Sequence, residues 1–168
     1  MVLVQMTRFA DLGLRVVMRL GAPSADQEGR RNTVNNLAED ISASSAHVAK
    51  VVAKLVNIGV ANSVRGRKGG IVLADDAPSM KVGEVLRKLE VSSEVINCVE
   101  PTECPYYSNN CLLRTRLARA REAFFAALDD LTIADLLEHT AREHKRSGAV
   151  GLGIPQMIDP SDRTEAFA

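Results

Sequence analysis

Cys98, Cys104 and Cys111 are the only cysteines in the chain, and all three lie in one stretch, CVEPTECPYYSNNC. The spacing is C-x5-C-x6-C, in a polar segment broken by two prolines. Structural thiols usually scatter through helices and strands, whereas these converge in one loop, as ligands of a single metal centre do. Three thiolates suit soft iron in a cluster, or zinc. Structural zinc usually takes paired knuckles of closer spacing, which are absent, while intervals of five and six fit the separated irons of a cubane. Cys111 precedes an apolar helical pattern, where unpaired backbone N–H groups stabilise a thiolate. Arg114, Arg116 and Arg119 crowd that helix start, an unfavourable place for cations unless an anionic group lies nearby; solvated arginines are the plainer reading.

The elements that must position these thiols come before and after them. Thr7 caps a first helix carrying Phe9, Leu12, Val16 and Leu20 on one stripe. A second helix is predicted from Val34 to Asp40 with Thr33 as its cap. The break SASS offers Ser44 or Ser45 as the cap of a third, which carries Val48, Val51, Val52, Leu55 and Ile58 and stops at Gly59. A short helix, a tight turn and a longer helix make a helix-turn-helix. Strands at Ala61–Val64 and Ile71–Leu73, joined by a basic Gly-rich hairpin, add a wing. MKVGEVLRKLE makes a further helix, and a long one runs from Leu112 to about Leu128. Leu113, Leu117, Ala120, Phe124 and Leu128 form a stripe on it, either core or a dimer seam. LTIADLLEHTAREHKR gives a last amphipathic helix.

The expected fold is therefore mainly α with a small β-hairpin. A winged helix-turn-helix occupies 6–90, the cysteine loop 91–111 and dimerisation helices 112–146, followed by a loosely ordered tail over 147–168. The 168 residues suffice for one moderate domain with a helical appendage. An odd number of cysteines, no signal-like start and no membrane-length apolar run point to a reducing cytoplasm and no membrane partner.

Net charge is zero, but its distribution is uneven. Ser44 to Gly70 holds Lys50, Lys54, Arg65, Arg67 and Lys68 with no acidic residue, whereas Asp75 to Glu103 holds seven acidic residues against three basic. Such segregation suits a polyanion-binding face. Ser45, His47 and Lys50 fall on the first turns of the recognition helix, the part that enters a major groove. Lys50 and Lys54 are placed for phosphates; Arg65, Arg67 and Lys68 in the wing are placed for a minor groove. His47 has a plainer reading as an exposed helix residue without special role. No Gly-rich nucleotide loop and no nucleophile–base pair are present, so an enzyme is not expected.

TRFADLGLR, AHVAKVVAKLVNIGV, RGRKGGIVLA, VGEVLRKLE and the three-cysteine loop, in this order from about Met6 to Leu137, resemble the NsrR/IscR family of bacterial iron–sulphur regulators. The resemblance implies a homodimeric repressor with a cluster on Cys98, Cys104 and Cys111, [4Fe–4S] or alternatively [2Fe–2S], bound to near-palindromic operator DNA. Cluster-assembly members place a histidine ligand three residues after the third cysteine, where this chain has Arg114. The nitric-oxide-sensing branch begins with an FxDxxLR-like motif and takes an aspartate from the first helix of the other protomer. RFADLGLR puts Asp11 there, so the resemblance makes Asp11 of the partner subunit the fourth ligand and nitric oxide the signal. Spacing alone reads Asp11 as the ion-pair partner of Arg15, four residues on. An iron- or redox-responsive regulator of the same fold is the near alternative, and a cluster-carrying redox protein the more distant one.

Overall fold

The computed structural model describes residues 6–22, 31–66, 69–90, 104 and 111–147. Its elements are α1 (Arg8–Gly21), α2 (Val34–Asp40), α3 (Ser45–Asn57), β1 (Ala61–Val64), β2 (Gly70–Leu73), a 3₁₀ turn (Ala77–Ser79), α4 (Val82–Leu89), α5 (Leu112–Ala126) and α6 (Ile133–Ser147). The mainly helical fold with one small antiparallel hairpin agrees with the sequence reading. Cys98, Arg67, Lys68 and the tail beyond Ser147 lie outside the described residues.

Hydroxyl caps start the first three helices. Thr7 Oγ1 accepts from the Ala10 N–H at 3.2 Å, Thr33 Oγ1 from Asn36 at 3.2 Å and Ser44 Oγ from His47 at 3.3 Å. Ser44, not Ser45, is thus the cap of α3. The turn before it bends through Ser42, which sits at φ 52°, a left-handed conformation unusual for a side chain. Gly59, at φ 79°, ends α3. The Val60 N–H reaches back to the Leu55 carbonyl at 2.9 Å and the Gly59 N–H to Val56 at 3.1 Å, closing the last turn.

The core lies between α1, α2, α3 and α4, where Val16, Leu37, Val51, Leu55, Leu86 and Leu89 are fully buried. Arg19 is also buried; its Nε donates to Asp40 Oδ2 at 2.8 Å, joining α1 to the end of α2. The hairpin pairs Ala61 with Leu73 and Val64 with Gly70, so β2 begins one residue earlier than predicted. The Gly69 N–H closes the hairpin on the Gly66 carbonyl at 2.9 Å. The wing is anchored as well as paired: the Ile71 N–H donates to the Asn32 carbonyl at 2.8 Å and Ala74 to Val60 at 3.0 Å. Hairpin, α2 and α3 are therefore one mechanical unit.

Beyond α4 the chain returns along α5, and residues 131–133 pair with 80–82. The Val82 N–H donates to Leu131 at 2.8 Å and the Ile133 N–H to Met80 at 3.0 Å. That pairing buries Ile133 completely and seats the start of α6 on the winged helix. α5 ends at Ala126, short of the predicted Leu128, because the Leu128 N–H bonds Phe125 at 2.9 Å and tightens the turn.

Candidate functional site

Two surfaces carry the chemistry. The first is the outer face of α3 with the wing. Val48, Val51, Val52 and Leu55 turn inward, which leaves Ser45, His47 and Lys50 exposed on the first turns. Lys54, one turn further, is half-buried. His47 is not a free rotor: its Nδ1 lies 2.9 Å from Ser44 Oγ, the hydroxyl that caps the helix. Ser44 was overlooked in the sequence as part of this face. The signal was present, since a hydroxyl followed three residues later by a polar side chain has capping-box spacing. Arg65 follows β1 and is exposed beside Gly66 at φ 106°. Val64 and Val72 are also exposed, and the register places both on the outer face of the hairpin. A basic, open helix start beside an anchored hairpin presents a surface fitted to a nucleic-acid groove.

The second surface is the start of α5. Cys111 stands at its cap position, and its side chain makes no capping hydrogen bond. Cys111 and Cys104 are both free and half-buried. A shallow groove of about 420 Å³ runs along the helix from Cys111 past Arg114, Thr115, Ala118 and Arg119 to Glu122. Arg116 is exposed and outside that groove. Asp11 lies on the first helix, where it accepts from Arg15 Nε at 3.0 Å; both side chains are about one-third exposed. Among the described residues no three His, Cys, Asp or Glu side chains converge as metal ligands. An uncommitted thiol at a helix N-terminus beside two arginines, as at Cys111, does fit an anionic, thiolate-held group.

Between the two surfaces lies a joint that the sequence did not reveal. Arg87 on α4 donates from Nε and Nη2 to Glu122 at 2.9 and 2.6 Å, and from Nη1 and Nη2 to Asp129, both at 2.8 Å. Its guanidinium also lies 5.6 Å from the Phe125 ring centre, and Phe125 is the one buried residue of α5. The hydrogen bonds from Arg87 hold both carboxyls below their ordinary values and hold the guanidinium protonated well above the usual range. Gly83 completes the joint. A Cβ there would stand 2.2 Å from the Phe125 carbonyl oxygen, so only glycine lets α4 come this close.

Residues 6–139 match Rrf2, described as an iron-dependent transcriptional regulator. The chain belongs to the Rrf2 family. It is 38% identical over 134 residues to the HTH-type transcriptional repressor NsrR of Streptomyces coelicolor, a match spanning 80% of this chain and 88% of that one. Two solved structures share its fold. The IscR of T. potens aligns at a TM-score of 0.59 with 22% identity, covering 83% of this chain and 90% of that one. The global cysteine regulator CymR of B. subtilis aligns at 0.56 with 23% identity, covering 82% and 98%. The hairpin beside α3 is accordingly the wing of a winged-helix Rrf2 transcriptional regulator, and the chain is not an enzyme. Among the described residues no helix is long and apolar enough to cross a membrane.

Proposed function

We propose that this Rrf2 protein is a homodimeric repressor that carries an iron–sulphur cluster and leaves its operator when nitric oxide reacts with that cluster. The observation that carries the reading is the free thiol of Cys111 at the arginine-lined start of α5, with Cys104 also free, in a chain 38% identical to an NsrR. Cys98, Cys104, Cys111 and Asp11 of the partner subunit would hold the cluster, with [4Fe–4S] favoured by the loose cysteine spacing. When bound, the cluster supplies an iron that a small ligand such as nitric oxide can attack.

The chain's own residues supply the rest. Arg114 and Arg119 offset the negative charge that thiolates bring to the groove. Asp11 is held only by a part-exposed pair with Arg15, an interaction worth about 1 kcal/mol or less, so it is available to exchange partners. Leu112, Leu113 and Phe124 are 70%, 60% and 43% exposed, an apolar surface that a second copy of α5 would cover. Two recognition helices set about 34 Å apart would then meet successive major grooves of a near-palindromic operator, with Ser45 and His47 at base edges and Lys50, Lys54 and Arg65 at the backbone and wing contacts. Arg67 and Lys68 would extend the wing contact. Moving from mostly bound to mostly free takes about 5 kcal/mol of differential affinity, on the scale of losing a metal–ligand link between protomers.

The family description favours a second reading of the same fold, in which iron supply rather than nitric oxide is the signal. Anaerobic purification followed by iron and sulphide counts tests the cluster. A gel shift on the protein's own promoter, after nitric oxide or after iron depletion, then separates the two signals. Cys104→Ala and Cys111→Ala should each lose the visible cluster band, and wild-type iron content in either variant removes that residue from the ligand set.

A further inference from the structure

The exposed face of α3 is chemically one-sided. Ser45, His47 and Lys50 are its polar groups near the helix start, with Ala46, Ala49 and Ala53 exposed between and beyond them; half-buried Lys54 and exposed Val56 and Asn57 lie toward the far end. The alanines keep the surface low, so few side chains reach a base edge. None of the polar groups near the helix start is a carboxylate or carboxamide. Lysine only donates, and serine can do either. Of these groups, His47 is the one whose role at a base edge is set by its tautomer, through Nε2.

Ser44 controls that atom. Its Oγ already accepts the His47 backbone N–H at 3.3 Å, and it lies 2.9 Å from the Nδ1 of the same ring. A hydroxyl has one proton and two acceptor sites. With one acceptor site taken by the backbone, donating the proton to Nδ1 uses the hydroxyl in both senses and leaves Nδ1 as an acceptor. The ring proton then sits on Nε2, the tautomer that a neutral histidine side chain also prefers in water. In the reverse arrangement Nδ1–H would take the hydroxyl's second acceptor site, and the hydroxyl proton would be left to solvent, without a partner in the protein.

We infer that Ser44 fixes His47 as its Nε2–H tautomer, so that His47 enters the groove as a hydrogen-bond donor and selects guanine over cytosine at one position of each half-site. Guanine offers N7 and O6 acceptors in the major groove, whereas cytosine offers only its amino donor. His47 is thus a specificity residue and Ser44 its positioning residue. The inference deepens the DNA-reading role proposed above and rests on it.

The test has two arms, both on the full chain. Nitrogen-15 NMR without DNA, with the His47 signals assigned by their loss in His47→Ala, should show a pyridine-type Nδ1 and a pyrrole-type Nε2; the opposite pattern overturns the inference. Selection from random duplexes should enrich guanine over cytosine at one position per half-site on the order of ten-fold. His47→Ala should flatten that position and keep the others. Ser44→Asp retains a helix cap but accepts from Nδ1–H, so at about pH 8 it turns Nε2 into an acceptor and should abolish or reverse the guanine preference. A wild-type protein that enriches no sequence ends the DNA-reading role itself. Enrichment that His47→Ala leaves unchanged overturns His47 as the specificity residue and leaves the DNA-reading role standing.

Discussion

The two halves of α5 are held by opposite means. Its C-terminal half is locked to the winged helix: Phe125 is buried, Arg87 forks onto Glu122 and Asp129, and Gly83 lets the backbones close up. Its N-terminal half bears Cys111, Leu112, Leu113 and three arginines, and among the described residues nothing buries the two leucines. A helix fixed at one end and bare at the other behaves as an arm on a rigid mount. The difference teaches where information must enter. In the proposed dimer, whatever covers the bare half would act on the proposed DNA-reading face through the locked half, because the joint ties α5 to α4.

The largest expected effect breaks the bare half. Leu113→Glu would place an uncompensated carboxylate in each copy of the proposed seam, a cost of about 3–5 kcal/mol or more, so dimer affinity should fall at least about 100-fold in sedimentation experiments. Helical content should persist, since Leu113 is 60% exposed in the single chain. A dimer of undiminished affinity would place the seam elsewhere. Next comes the locked half. Gly83→Ala sets a Cβ against the Phe125 carbonyl and should cost about 1–3 kcal/mol, lowering the melting temperature by several degrees. A smaller change is expected from Arg87→Ala, because its partners Glu122 and Asp129 are 61% and 30% exposed. The pH dependence gives that variant a signature. Arg87 depresses both carboxyls in the folded state, so their contribution is present above the ordinary values of 4.5 and 3.8 and is lost as pH falls through the lower folded values. Acid melts of the wild type should therefore show a destabilisation below about pH 4 that Arg87→Ala lacks. Parallel wild-type and variant curves would mean the fork contributes no measurable rigidity.

What was legible in the chain was local. Thr7, Thr33 and the SASS break mark helix starts because a hydroxyl caps within three residues of itself. The inward set on α3 follows from a period that any apolar helix shows. The stripe on α5 was legible too, but not its direction. Phe124 belongs to the stripe and is 43% exposed, while its neighbour Phe125 turns to α4 with Glu122 and Asp129. No periodicity reveals this, because the choice of face is made by Arg87, 35 positions before Glu122 and 42 before Asp129. Arg19 and Asp40, 21 positions apart, escaped for the same reason. Asp11 shows the limit from the other side. Its spacing predicts the Arg15 pair seen here, and a ligand role needs a second chain that one sequence read alone does not contain.

The bond from Ile71 to Asn32 has a consequence for operator architecture. It staples the wing to the segment that introduces α2, so wing and recognition helix form a caliper with a fixed jaw. Within one half-site the interval between the helix-read bases and the wing-read groove should then tolerate no insertion. In the proposed dimer, only the gap between half-sites, governed by the arms, would be adjustable. Regulation in that dimer would work by moving two such calipers relative to each other, and the same caliper could be fitted to a different arm without changing the sequence it measures.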